Sequence, residues 1–325
     1  MRAMRQTFPE LTLSDTGHST LHSFLWRSGY KFVTPSPATH RRVNARPGNE
    51  LATDLRGAFG WSRPFARDCL PPDLFKTLDA DGIIRPCETG WTSLVRASTL
   101  DGELFLHSAY PTLSDDSVFF GPDTYRFVRA VKLQLREQQR PVRRILDIGC
   151  GSGAGGILAA KYAASEVVVL SDINASALRL AEVNAAAAGI SASFIQSDLF
   201  ANLKGDFDMI ISNPPYMNDP LQRAYRHGGG DFGGALSIRI IHEAKNRLAP
   251  GGELLLYTGS AIVAGEDRIR RAAEEIFAKS GWVWSYEEID PDVFGEELET
   301  AACSVVDRIA AVVLIARKPG GASCW

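Results

Sequence analysis

The sequence predicts an α/β protein: an open sheet of seven, mostly parallel strands, preceded by a smaller N-terminal α+β region. Three observations carry this. From about residue 140 onward, short runs of Val, Ile and Leu alternate with stretches of helical periodicity, as in strands covered on both faces by crossover helices. A glycine-rich turn, Gly149-Cys150-Gly151-Ser152-Gly153, follows the first of those strands, where open α/β sheets place their ligand crevice. The first hundred residues show neither feature; they are rich in Pro, Arg and polar residues and read as short elements.

Taken in order, Leu51, Leu55, Ala58 and Phe59 recur at helical spacing, and residues 72–78 form another short helix closed by Asp81-Gly82. Residues 92–99 and 103–107 are β-prone and flank Asp101-Gly102, a strong hairpin signal. Helices followed by a hairpin resemble a winged-helix module that grips substrate or RNA; a lid packed on the following domain fits equally. A helix follows Pro122, with Asp123 as its cap, Phe127, Val128, Val131 and Leu135 on one face, and Pro141 ending it. Strands are expected at 145–148, 167–170, 194–196, 209–212 and 254–257, and helices at 155–163, 175–188, 235–248 and 267–279. The helix at 235–248 is stopped by Pro250-Gly251-Gly252. The last strands, 282–288 and 309–316, have no helix between them, so an antiparallel partner is expected at one sheet edge. The boundary falls near residue 115, giving a recognition or lid region over 1–115 and the main α/β domain over 116–325.

The chain's 325 residues suit two domains. With 45% apolar and 22% charged residues it can bury a core without disulfides or metal. The net charge is −3; residues 1–140 hold 18 Lys+Arg against 15 Asp+Glu, and the remainder 17 against 23. Bulk charge therefore demands no nucleic-acid partner. Cys69, Cys87, Cys150, Cys303 and Cys324 form no CxxC pair and stand near no His at ligand spacing, so reduced, mostly buried thiols and no metal site are expected. No apolar run reaches the roughly 18 residues of a membrane span. Residues 1–10 carry two arginines with no apolar core behind them, so no secretory signal is expected and the chain reads as cytoplasmic. No motif specifies an oligomeric state.

The glycine turn alone is weak evidence. Two acids sharpen it. Asp172 closes the second strand 25 residues after Asp147, close to the spacing of a carboxylate that grips ribose hydroxyls. Asp198-Leu199 follows the third strand, where a carboxylate can accept from an adenine amino group. A dinucleotide-dependent oxidoreductase uses similar parts. Here, however, the spacing is GxGxG with Asp147 two residues before the first glycine, not GxGxxG. A cationic sulfonium ligand has no pyrophosphate for a helix N-terminus to hold. Asp147 is placed to order the turn and to meet positive charge, which favours a methyl donor over a dinucleotide.

Asn213-Pro214-Pro215-Tyr216 follows directly after the fourth strand. A planar amide or aryl amine is a poor nucleophile because its lone pair is delocalised. Two acceptors aimed at its hydrogens orient it and stabilise the positive charge that grows during attack. The Asn213 side-chain oxygen and the Pro214 carbonyl can be those acceptors. Pro215 stiffens the turn, and Tyr216 offers a flat face to stack on the substrate group. No strong base is needed before transfer, since the proton can leave afterwards. The glycine-bearing residues 225–234 can close near a substrate. His227 within them reads as a solvated loop histidine, and the acidic residues 292–299 as a solvated face or a contact for a basic partner.

The run from Asp147 to Gly153, with Ser171-Asp172-Ile173-Asn174, Ser197-Asp198-Leu199-Phe200 and Ile211-Ser212-Asn213-Pro214-Pro215-Tyr216, resembles the NPPY class of Rossmann-like methyltransferases over residues 120–318. HemK-type release-factor glutamine methyltransferases and small-domain rRNA guanine methyltransferases look nearest. The resemblance implies a class I methyltransferase fold and S-adenosyl-L-methionine as cofactor. It places the cofactor against Asp147, Gly149, Gly151, Gly153, Asp172, Ile173, Asp198, Leu199 and Asn213, and the target NH2 against Asn213 and Pro214, beside Pro215 and Tyr216. It implies a macromolecular substrate, first a protein glutamine such as that of a release factor, alternatively an exocyclic amine in rRNA, tRNA or DNA. The family carries Pro-Asp-Thr-Glu before the first strand; this chain has Pro122-Asp123-Thr124-Tyr125, which weakens the glutamine assignment. Arg41, Arg42, Arg46, Arg56, Arg63 and Arg67 lean toward RNA, but the N-terminal region lacks the interleaved aromatics of a stacking platform. The similarity after residue 140 leans toward glutamine.

Overall fold

The computed structural model describes residues 16–219, 221–278 and 280–320. Residues 1–10, Lys279 and Cys324, each part of an expectation above, lie outside them. The N-terminal region contains α1 (Thr16–Arg27), α2 (Pro37–Asn44), α3 (Leu55–Phe59), α4 (Pro72–Ala80) and two hairpins, β1 (Ile84–Cys87) with β2 (Gly90–Ser93) and β3 (Val95–Leu100) with β4 (Glu103–Ser108). The second hairpin turns at Asp101 (φ 47°) and Gly102 (φ 84°), the paired positive φ values of a tight turn matched to strand twist. Each hairpin is a sheet by itself. The first two helices and the first hairpin carry little sequence signal. In α1, for example, Leu21 and Leu25 make a narrow buried stripe on an otherwise polar helix.

The chain then runs through α5 (Pro122–Glu137), β5 (Arg144–Ile148), α6 (Ala154–Ala163), β6 (Val167–Asp172), α7 (Ala175–Ala187), β7 (Ser193–Gln196), β8 (Phe207–Ser212), α8 (Ala235–Ala244), β9 (Leu248–Val263), β10 (Glu266–Asp267), α9 (Arg268–Phe277), β11 (Val283–Asp290) and β12 (Arg308–Arg317). The main sheet follows the order β7-β6-β5-β8-β9-β12-β11, with β10 folding back on β9. Strands β5 to β9 pair in parallel, and β12 is antiparallel to both β9 and β11. The antiparallel strand is thus inserted one place in from the edge, and β11 forms the edge itself. Two boundaries differ from expectation. Helix α8 ends at Ala244, and Pro250-Gly251-Gly252 lie inside β9, in a register irregularity between the Phe207–Leu248 and Met209–Glu253 pairs. Strand β9 also runs on to Val263 because β12 pairs with it as far as Ile262.

Alternation along the strands divides the core. Ile145, Met209, Ile211 and Leu255 face one side, against Phe127, Val131, Ile157 and Leu158. Leu146, Ile148, Ile210, Leu254 and Leu256 face the other, against Ile240, Ile241, Ile269 and Phe277. A third cluster fills the N-terminal region: Leu21, Leu25, Phe59, Phe65, Phe75, Leu78 and Leu106, joined by Ala177, Leu180 and Val183 of α7. Fully buried Asn184 sits at that junction. Its side-chain oxygen accepts from the Leu106 N–H (2.8 Å), and its NH2 donates to the carbonyls of Leu106 (3.0 Å) and Ser152 (2.9 Å). Every polar atom of this amide has a partner, and one side chain links β4, α7 and the glycine turn.

Candidate active site

A cavity of about 320 Å³ opens at the C-terminal ends of β5, β6 and β8. Its floor is the glycine turn. Gly149 and Gly151 have φ values of 66° and 54°, and a side-chain carbon at Gly149 would meet nothing within 4 Å. The bare backbone therefore faces the cavity, which suits close approach of a ligand. Gly153, expected with them, does not line it. A Cβ there would lie 2.9 Å from Ile157 and 3.1 Å from Ala181, so this glycine serves helix packing.

Asp147, at the end of β5, is 1% exposed and accepts from the Gly156 N–H at 2.7 Å. Burial pushes its carboxyl up to about 7. Asp172, at the end of β6, accepts from the N–H groups of Gly151 (2.9 Å) and Asn174 (2.9 Å), one through each oxygen. It thereby fixes the glycine turn. Burial raises its carboxyl too, against those backbone donors. The exposed side chain of Ile173 follows on the cavity wall. Asp198 and Leu199 also line it. Leu199 is buried with φ 46°, and Asp198 is paired with Arg239 at 3.1 Å across the surface, a partner the sequence did not reveal.

The tetrapeptide begins where β8 ends. Asn213, Pro214 and Pro215 line the cavity, and among the described residues no hydrogen bond engages the Asn213 side-chain amide. Tyr216 is held by contacts the sequence did not show. Its ring also lines the cavity, but it is 8% exposed, packed on Gly259 and edge-on to Phe294. Its hydroxyl donates to Asp123 Oδ2 at 2.5 Å, while Tyr257 of β9 donates to Asp123 Oδ1 at 2.7 Å. Burial, reinforced by the neighbouring carboxylate, holds both phenols far above their ordinary range, so both remain donors. Asp123 is therefore no helix cap. Gly121 occupies the cap position, and Asp123, 1% exposed, is the centre of a buried cluster completed by Arg126 at 3.2 Å.

Beyond the tetrapeptide the chain turns back on itself. The Met217 N–H donates to the Arg226 carbonyl and the Gly228 N–H to the Met217 carbonyl. Asp219 anchors the turn through two bonds to Arg223 (2.6 and 2.9 Å), which hold its carboxyl down to about 2. His227 is thereby brought into the cavity wall, with Nδ1 buried and unpartnered, rather than into solvent as expected. Sequence reasoning missed Asp123 and Tyr257 as a pair; an acid at the start of α5, in a segment already singled out, was the available signal. Of the described cysteines only Cys150 is buried, and Cys69, Cys87 and Cys303 are half-buried free thiols. No described helix is long and apolar enough to cross a membrane.

Residues 129–279 match the family described as Methyltransferase small domain. The chain is 35% identical over 162 residues to ribosomal RNA small subunit methyltransferase C of Pasteurella multocida, covering 50% of this chain and 44% of that protein. It is 32% identical over 193 residues to a release factor glutamine methyltransferase of Deinococcus radiodurans, covering 54% and 63%. With the release factor glutamine methyltransferase of Borreliella burgdorferi it shares 34% identity over 133 residues, covering 37% and 46%. The chain spans about half the length of these relatives.

Proposed function

We propose that the chain transfers a methyl group from S-adenosyl-L-methionine to a planar amide nitrogen, that of a protein glutamine, a reading in keeping with the match of residues 129–279 to the Methyltransferase small domain family. The observation that carries this is the meeting, in one cavity, of the bare glycine turn, Asp172 and an Asn213 amide that no described protein group engages.

The cofactor fits the residues present. Asp172, a carboxylate oriented by backbone N–H groups in the cavity wall, is placed to accept from ribose hydroxyls, and the exposed Ile173 offers an apolar surface for a flat base. Asp147 puts a carboxylate beneath the positive methionine end. When bound, the cofactor supplies an electrophilic methyl group on a sulfonium. Asn213 and the Pro214 carbonyl then hold the two hydrogens of the acceptor NH2, aim its nitrogen and spread the charge that develops there. Pro215 fixes the turn, and Tyr216, tied to Asp123, keeps that turn from swinging away.

A polypeptide is favoured as acceptor by the rim. The loop between β11 and β12 exposes Asp292 and Glu296 in the cavity that adjoins the site, and Arg126 and Arg226 there are already paired with acids. A nucleic-acid backbone would meet uncompensated like charge. A second reading, an exocyclic amine in RNA, draws support from the exposed Arg41 and Arg42 on α2. The test is transfer of tritiated methyl from S-adenosyl-L-methionine into cell extract, followed by RNase or protease. Protease-sensitive, RNase-resistant label is expected; RNase-sensitive label overturns the glutamine assignment. Calorimetry that found NAD bound and S-adenosyl-L-methionine ignored would overturn the transferase altogether.

A further inference from the structure

A second cavity, of about 360 Å³, adjoins the first and shares Phe119, Tyr225, Arg226 and Phe294 with it. Its other walls come from the N-terminal region, including the first turn of α2, and from the acidic β11–β12 loop. Arg96 of β3 lines it and is 4% exposed. Its Nε donates to the Gly60 carbonyl at 2.8 Å, and its guanidinium lies 5.6 Å from the centre of the Phe32 ring. Its Nη2 is buried with no hydrogen-bond partner, and among the described residues no carboxylate pairs with it. The titratable groups that act on it are the phenols of Tyr30, Tyr125 and Tyr110. His40 and His107 close by are held neutral by burial first and by Arg96 itself second, so they supply no counter-charge. A desolvated cation without an anion is costly, and the protein retains this one at the wall of a cavity.

The other two arginines of that cavity are already neutralised, Arg126 by Asp123 and Asp290, Arg226 by Asp219 and Glu297. Asp292 and Glu296 add negative charge to the same wall. One unpaired guanidinium among paired ones matches a single carboxylate, not a run of phosphates.

We propose that this second cavity is a specificity subsite for an Asp or Glu side chain of the substrate polypeptide, anchored by Arg96, a few residues from the glutamine that is methylated. The inference rests on the glutamine reading above. Arg96 is a specificity residue here; it does not touch the reacting atoms.

The test uses the full chain, tritiated S-adenosyl-L-methionine and a peptide library with one fixed glutamine flanked by random positions. Methylated products should be enriched in Asp or Glu at one flanking position. A defined peptide with Glu there should then be methylated with kcat/KM about tenfold or more above its Gln counterpart. In Arg96→Gln that ratio should fall to about one, and in Arg96→Lys to an intermediate value. The ratio is taken within one enzyme preparation, so a misfolded fraction leaves it unchanged. If Arg96→Gln does not fold, the wild-type preference and its reduction in Arg96→Lys decide. Methylated products without acid enrichment, or a ratio unchanged in both variants, overturn the subsite and leave the glutamine reading standing. A library left unlabelled while RNA in extract is labelled overturns the glutamine reading, and the subsite with it.

Discussion

The hydroxyl of Tyr216 and the carboxylate of Asp123, 93 residues apart in sequence, meet at 2.5 Å. The last residue of the tetrapeptide is thereby fastened to the first turn of α5, and Tyr257 fastens the same carboxylate to β9. The buried acid needs both donors, since a partly satisfied buried carboxylate is worse than none.

Tyr216→Phe and Tyr257→Phe should each lower stability by about 1–3 kcal/mol, because each removes a hydrogen bond to a buried charge. The double variant should cost a different amount from the sum of the two. Urea unfolding of the four proteins in a double-mutant cycle measures the coupling, and strict additivity would refute the shared-acid account.

Asn213→Ala should reduce methyl transfer by about 10²–10³-fold, the usual effect of losing one preorganised polar contact to developing charge. Binding of S-adenosyl-L-methionine, measured by calorimetry, should stay within a few-fold of wild type. Full activity in this variant would exclude Asn213 from orienting the acceptor.

Donor binding should weaken as pH falls through about 7, where Asp147 takes up a proton and loses its charge. The limit is about tenfold in Kd per pH unit below that value. Asp147→Asn should bind the donor more weakly and without this pH dependence. The folded-state value lies above the ordinary carboxyl value of 3.8, so the folded ligand-free protein holds the proton more tightly than the unfolded chain. Its stability should therefore fall as pH rises from about 4 toward 7, and that slope should disappear in Asp147→Asn. Calorimetric titrations and melts across pH 4–8 check both.

Gly259→Ala should be destabilising by about 1–3 kcal/mol and should lower activity, because the added carbon would lie 2.3 Å from the Tyr216 ring. The Tyr216 turn would have to move to admit it. Thermal melts and steady-state rates test this. A neutral substitution would mean that the turn yields without consequence.

The α/β domain was legible in sequence because its signals are local. Continuous Val/Ile/Leu strands, Gly149 and Gly151 at a strand end, and Asp172 at the expected spacing all declare themselves within a few residues. The tetrapeptide was legible as a position; the bond from Tyr216 to Asp123 was not, because that acid and Tyr257, which shares it, come from distant parts of the chain. His227 was misjudged for a similar reason: the backbone bridge to Met217 that turns it inward leaves no trace in composition. Helix α8 was drawn four residues too long because Pro250-Gly251-Gly252 looked like a stop signal, whereas the pairing of β9 with β8 and β12 overrides local propensity there. Arg96 could not be told from any other strand arginine, since only its surroundings leave it unmatched.

The double duty of α7 reaches furthest. One helix packs against the sheet and also supplies Ala177, Leu180 and Val183 to the hydrophobic cluster of the N-terminal region. A polypeptide severed at residue 115 would leave that flank bare to water and strip Asn184 of both bonds to Leu106. The two halves are thus welded along a greasy seam that also abuts the glycine turn. Exchanging the front half for another, as one swaps a tool head, would disturb the glycine turn behind it, since Asn184 also holds the Ser152 carbonyl.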